Sequence, residues 1–84
     1  MDDFTELLNI GEELNRQIHH VGVHDLKTLH KLGSKKVWLK IKKEDASACI
    51  NRLYAIEGAI LNVKKAQLSE EIKKDLKQFY NEHK

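Results

Sequence analysis

Apolar side chains recur every third or fourth position through most of this chain, and no proline interrupts them. Such spacing places one apolar stripe on each of several helices. Four glycines are left as the main punctuation in 84 residues. The fold class this implies is all-α: a compact bundle of about five helices, a single domain over residues 1–84. A domain of that size carries one core and no second lobe to form a deep cleft, which argues against an enzyme.

Phe4, Leu7 and Leu8 suggest a short opening turn over the core. Leu7, Ile10, Leu14, Ile18 and Val21 predict a helix from about Glu12 to His20, with Gly11 as its N-cap. Gly22 is expected to end it in a left-handed conformation, and Val23 to fold back onto it. Asp25 is a natural cap for a second helix with Leu26, Leu29 and Leu32 on one face and Gly33 as its stop. Ser34 is expected to cap a third at once, turning Val37, Ile41 and Trp38 or Leu39 inward.

A fourth helix, roughly Asp45 to Leu61, is apolar on nearly every side and is expected to be the central one, with Cys49 as a small core residue. Gly58 inside it costs about 1 kcal/mol relative to alanine, so a close helix crossing is the expected reason for it. Ser69 opens a last amphipathic helix with Ile72, Leu76 and Phe79 inward.

The net charge of +2 conceals an asymmetry. Residues 1–25 carry six acids against Arg16, whereas residues 26–43 carry Lys27, Lys31, Lys35, Lys36, Lys40, Lys42 and Lys43 and no acid. Ends of opposite sign orient a molecule in a partner's field, while a general nucleic-acid binder is more often basic throughout. The lone Cys49 excludes an internal disulfide and suits a reducing compartment. The chain opens Met-Asp-Asp without a basic segment, and its best apolar run, Leu53 to Leu61, is interrupted by Glu57. A soluble, cytoplasmic protein with no membrane role is therefore expected.

Two helix starts share a pattern of apolar-Gly, charged pair, apolar: Ile10-Gly11-Glu12-Glu13-Leu14 and, offset by one residue, Leu32-Gly33-Ser34-Lys35-Lys36-Val37. Phosphate binding at the first needs free N–H groups and no competing anion, and Glu12 and Glu13 are competing anions. Gly11, Gly22 and Gly33 are thus assigned as structural turns. At the second start, Lys35 and Lys36 oppose the helix dipole, a conflict that an anion would resolve. Lys35, Lys36, Lys40, Lys42 and Lys43 are the candidate contacts for a partner or nucleic acid; an ordinary solvated lysine face is the plainer alternative, since no arginine accompanies them.

His19, His20 and His24, with His30, lie close in sequence, and two of them are placed to converge across the turn at Gly22, but a zinc site wants three or four ligands and a supporting shell, so no metal is assigned. These histidines fit surface or hairpin-capping positions that titrate near neutral pH. No serine, cysteine or carboxylate stands beside a base on a convincing loop, so neither a catalytic residue nor a cofactor is assigned.

The runs Leu8-Asn9-Ile10-Gly11, Ile18 through Gly33 (IHHVGVHDLKTLHKLG) and Asn51 through Ile60 (NRLYAIEGAI) resemble the C-terminal domain of the TfoX (Sxy) bacterial competence regulators, in stand-alone form. The resemblance covers most of the chain. It implies an all-helical domain with helix-hairpin-helix-like packing, found beside a transcription-regulating domain or alone, and it implies no chemistry. The expectation is a chain without the N-terminal domain of two-domain relatives, and it has Glu12 where many relatives place proline.

Together these features point to a non-enzymatic regulatory or adaptor domain that docks a protein partner, with the transcription machinery as the candidate. Glu6, Glu12 and Glu13 form one face for it and Lys35, Lys36 and Lys40 the other, with Trp38 or Tyr54 as an anchor if exposed. A homodimer through the opposite charges is a further expectation. The alternative is weak, largely non-specific DNA binding through the Lys27–Lys43 segment.

Overall fold

The computed structural model describes Phe4 and residues 7–83. Among these residues there are four α-helices, a 3-10 turn at Lys65–Gln67, and no strand: α1 is Glu12–His20, α2 Leu26–Glu44, α3 Ile50–Leu61 and α4 Glu70–His83. No helix among them is long and apolar enough to cross a membrane. The second and third expected helices adjoin without a linker and run on as α2, so four elements stand where about five are expected. Gly33 alone departs from helical geometry, at φ 81° and ψ 162°, which breaks α2 where the sequence places a stop, and Ser34 resumes the helix. α2 is therefore two helical legs, residues 26–32 and 34–44, joined at Gly33.

Local signals set the two ends of α1 and the starts of α2 and α4 as the sequence implies. Gly11 is the N-cap of α1, and Leu14 and Ile18 are its buried residues. Gly22 takes φ +94°. Around it Val21 N–H donates to the Gln17 carbonyl, Gly22 N–H to His19 and Val23 N–H to Ile18, which satisfies the end of α1 and buries Val23. Asp25 caps α2 by accepting from Thr28 N–H at 2.7 Å, and Ser69 Oγ accepts from Ile72 N–H at 3.2 Å at the start of α4. Leu7 N–H bonds the Phe4 carbonyl at 2.9 Å, so the expected opening turn exists where it is described.

The core gathers Ile18, Leu29, Val37, Trp38, Ile41, Leu53, Ile56 and Leu76, all close to fully buried. Burying a side chain of this kind contributes about 1.5–3 kcal/mol before ordering costs. Trp38 is central: its Nε1–H donates to the Cys49 carbonyl at 3.2 Å, and α4 lays Phe79 and Tyr80 against the indole. α3 packs on both α2 and α4.

Leu26, the first residue of α2, is 39% exposed, whereas Leu29 is fully buried. Three expectations for individual residues are corrected. Ser34 does not cap a helix of its own; its buried hydroxyl donates to Glu57 Oε1 at 2.6 Å. The fourth expected helix begins at Ile50 and not near Asp45, since Asp45 is the C-cap of α2, and Cys49 is the exposed N-cap of α3. Gly58 does admit a close approach, but by a loop: a Cβ there would stand 2.5 Å from Asn9 Nδ2 and 2.7 Å from the Val63 carbonyl. Asn9, at φ +73°, fills that space and clamps the loop, donating to the Val63 carbonyl and accepting from Lys65 N–H.

Candidate functional site

The five candidate lysines all lie on α2 after its kink, and the structure divides them. Lys35 Nζ is 2.6 Å from Asp75 Oδ2 of α4 and lies 5.4 Å from the Phe79 ring centre. Lys42 Nζ donates to the Ala46 carbonyl at 2.8 Å beyond the end of the helix. Lys36, Lys40 and Lys43 are exposed. Spaced i, i+4 and i+7, they fall on one stripe roughly 10 Å long at 1.5 Å per residue. The inward face, Val37, Trp38 and Ile41, is buried, so the core fixes which way the stripe points.

Lys40 and Lys43 share a shallow hollow with His20, Val21 and Gly22 of the hairpin and with Glu44. His20 Nε2 lies 3.7 Å from Glu44 Oε2, both side chains being exposed. An adjoining hollow is lined by Arg16, Gln17, Val21, Ile41 and Asp45. Asp45 ties three helices together: Gln17 Nε2 donates to its Oδ2 at 2.9 Å and Arg52 Nη1 at 3.0 Å, while Ser47 donates to Oδ1. These bonds, Ser47's hydroxyl first and then Arg52, hold its carboxyl far below the usual carboxylate range. Asp25 is lowered too, chiefly by the Thr28 N–H bond.

At the other glycine start, Glu12 and Glu13 are exposed in the first turn of α1, and Gly11 has no side-chain cap. Glu6 lies outside the described residues. Trp38 is fully buried and so belongs to the core, not to a contact surface, whereas Tyr54 is half-buried. His30 is exposed, and His19 Nδ1 lies 3.0 Å from His24 Nδ1. Among the described residues no three His, Cys, Asp or Glu side chains converge as metal ligands.

Sequence reasoning missed the Gln17–Asp45–Arg52 cluster, the Asn9 clamp and the capture of Lys35, whereas the convergence of two histidines across the Gly22 turn is seen at His19 and His24. All three missed features join residues on different elements, where no local spacing rule reports on the pairing. For Asn9 a signal existed, since asparagine is among the few residues that accept a left-handed backbone.

Comparison with known proteins agrees with this architecture. Two crystal structures from Listeria monocytogenes, described as an uncharacterized protein in a triclinic form and a protein of unknown function in a tetragonal form, superpose with a TM-score of 0.93 at 34% identity. They match over 96% of this chain and over 92% and 99% of theirs. Protein Sxy of Escherichia coli (strain K12) is 30% identical over 63 residues, 75% of this chain but 30% of that protein's length. The TfoX C-terminal domain matches residues 1–80, and with the helical fold and these relatives, this chain belongs to the TfoX C-terminal domain family.

Proposed function

We propose that the chain is a non-enzymatic regulatory domain, related to bacterial competence and transcription control, that works in the cytoplasm by docking a protein partner on the outer face of α2. The observation that carries this is the division among the lysines: Lys35 and Lys42 are engaged within the chain, while Lys36, Lys40 and Lys43 stay exposed in line. A row of three cations suits a row of carboxylates, and Glu12 and Glu13 at the start of α1 supply the opposite sign that sets orientation. Kinship with helix-hairpin-helix modules forms part of the proposal, supported by the short turn between α1 and α2. The same opposed charges suit association of two copies, which sedimentation at low and physiological salt would detect.

DNA is the second reading, favoured by the same three lysines. Against it, the N–H groups of Val21, Gly22 and Val23 at the hairpin all donate to α1 carbonyls, so they do not cradle a phosphate. Three phosphate contacts would give a salt slope of about −3 in log K against log salt, a modest affinity at physiological salt. An isotope-labelled titration with short duplex DNA at both salts separates the two. Docking to protein predicts no shifts at physiological salt; strong shifts over residues 34–43 that persist there would overturn it in favour of DNA.

A further inference from the structure

We infer that the groove between α1 and the second leg of α2 seats an acidic peptide segment of a partner protein, one aliphatic side chain lying between carboxylates. This rests on reading the outer face of α2 as a docking surface, and it names what fits there. Two hollows join along the groove, sharing His20, Val21 and Glu44. Arg16 lines one end, beside the Gln17–Asp45 bond of 2.9 Å that ties the two helices together. Lys40 and Lys43 line the other end with Gly22 of the hairpin. From position 40 to position 45 a helix rises roughly 7.5 Å, the length of two or three residues of extended peptide.

The apolar lining is Val21, half-buried, and Ile41, which belongs to the core. The hollow at the Arg16 end measures about 270 Å³. That falls short of the roughly 300–1,000 Å³ of small-molecule pockets, so the space suits one side chain and not a cofactor.

The charges around this floor select an acidic occupant. Among the described residues Arg16, Lys40 and Lys43 are exposed and make no hydrogen bond or ion pair through their side chains. The arginine that the lysine run lacks in sequence is thus supplied in space by α1, and its planar fork offers a carboxylate two donors. Of the two acids that line the groove, Asp45 is taken up by Arg52, Gln17 and Ser47. The other, Glu44, lies 3.7 Å from His20 Nε2, both side chains being exposed. An exposed pair of this kind is readily exchanged, so Glu44 stands where a partner's carboxylate would go. Glu12 and Glu13, one turn before Arg16, bound the groove with like charge and turn an acidic segment toward the lysine end. A nucleic-acid backbone matches less of this, since phosphates leave Val21 and Ile41 unused, whereas an apolar anchor ringed by carboxylates engages floor and rim together.

The test is an NMR titration of the 15N-labelled full chain, at physiological salt and up to millimolar concentration, with a peptide of one leucine flanked on each side by two glutamates. Shifts should gather at Arg16, His20, Val21, Lys40, Lys43 and Glu44. Glycine in place of the peptide's leucine should weaken binding about fivefold, as for one partly buried side chain. Arg16→Gln should weaken it by about as much, and Glu44→Gln should tighten it by removing the competing acid. Shifts abolished by Lys36→Glu with Lys43→Glu, yet indifferent to Arg16→Gln and to the peptide's leucine, would overturn the groove and leave docking on α2 standing. Absence of shifts at the highest concentration would overturn it too, while crosslinking from position 40 reads the docking face itself. Stronger shifts of the same residues with short duplex DNA, unaffected by Val21→Thr, would give the groove to DNA and overturn the inference.

Discussion

Gly11 and Gly33 each precede a helical segment, with ψ of 179° and 162°, but their φ values are −88° and +81°. The first is extended backbone open to any residue, and the second lies where side chains are rarely tolerated. The charged pairs beyond the two glycines differ as well. Glu12 and Glu13 complement the start of α1, whereas Lys35 and Lys36 oppose the start of α2's second leg, where Asp75 and Phe79 of α4 take up Lys35. One glycine start is thus settled by its own sequence and the other by tertiary contacts. Lys36, Lys40 and Lys43, which are exposed, are the lysines of the proposed docking face.

Gly33→Ala should break the second region most severely, costing about 1–3 kcal/mol for the forbidden backbone. Nothing lies within 4 Å of a Cβ built at either glycine, so conformation and not crowding decides the cost. Thermal melting should fall by several degrees for Gly33→Ala, and Gly11→Ala should cost no more than about 1 kcal/mol. Equal losses would erase the distinction between the two starts.

Next in size is the loss of Asp45, where α2 ends and Gln17 of α1 is held. Its carboxyl is lowered in the folded state, so its stabilisation is full above the unfolded value of 3.8 and is lost as pH falls through the folded one. Melting curves recorded from neutral pH downward should show Asp45→Asn less stable at neutral pH and less sensitive to acid. A parallel acid dependence in the two proteins would contradict this.

Replacing Glu12 or Glu13 by glutamine should cost about 0.3–1 kcal/mol each, shrinking in high salt. The smallest effect belongs to Asp75→Asn: both partners of its ion pair are substantially exposed, so the loss in denaturant titration should be no more than about 0.5 kcal/mol. A larger loss would mean that α4 depends on Lys35 more than the geometry indicates.

The same contrast explains what the sequence discloses. Gly11, Gly22, Asp25 and Ser69 announce their positions because capping is settled within a few residues, and apolar period sufficed for Leu14, Ile18, Val37 and Ile41. Cys49 was misjudged because an apolar neighbourhood in sequence does not show that the helix starts one residue later. Lys35 reads like its neighbours until a partner 40 positions on is in place. Trp38 shows the intermediate case, its inward placement being among the periodic options while its bond to the Cys49 carbonyl is not legible.

The most direct test of the docking face is site-specific photo-crosslinking in cells, with the reactive residue introduced at Lys40 or, for comparison, at the exposed Lys77 of α4. The account predicts a discrete protein adduct from position 40, lost when Lys36→Glu and Lys43→Glu are added while melting is unchanged, and none from position 77. Adducts that survive the charge reversal, or that arise equally from position 77, would contradict it.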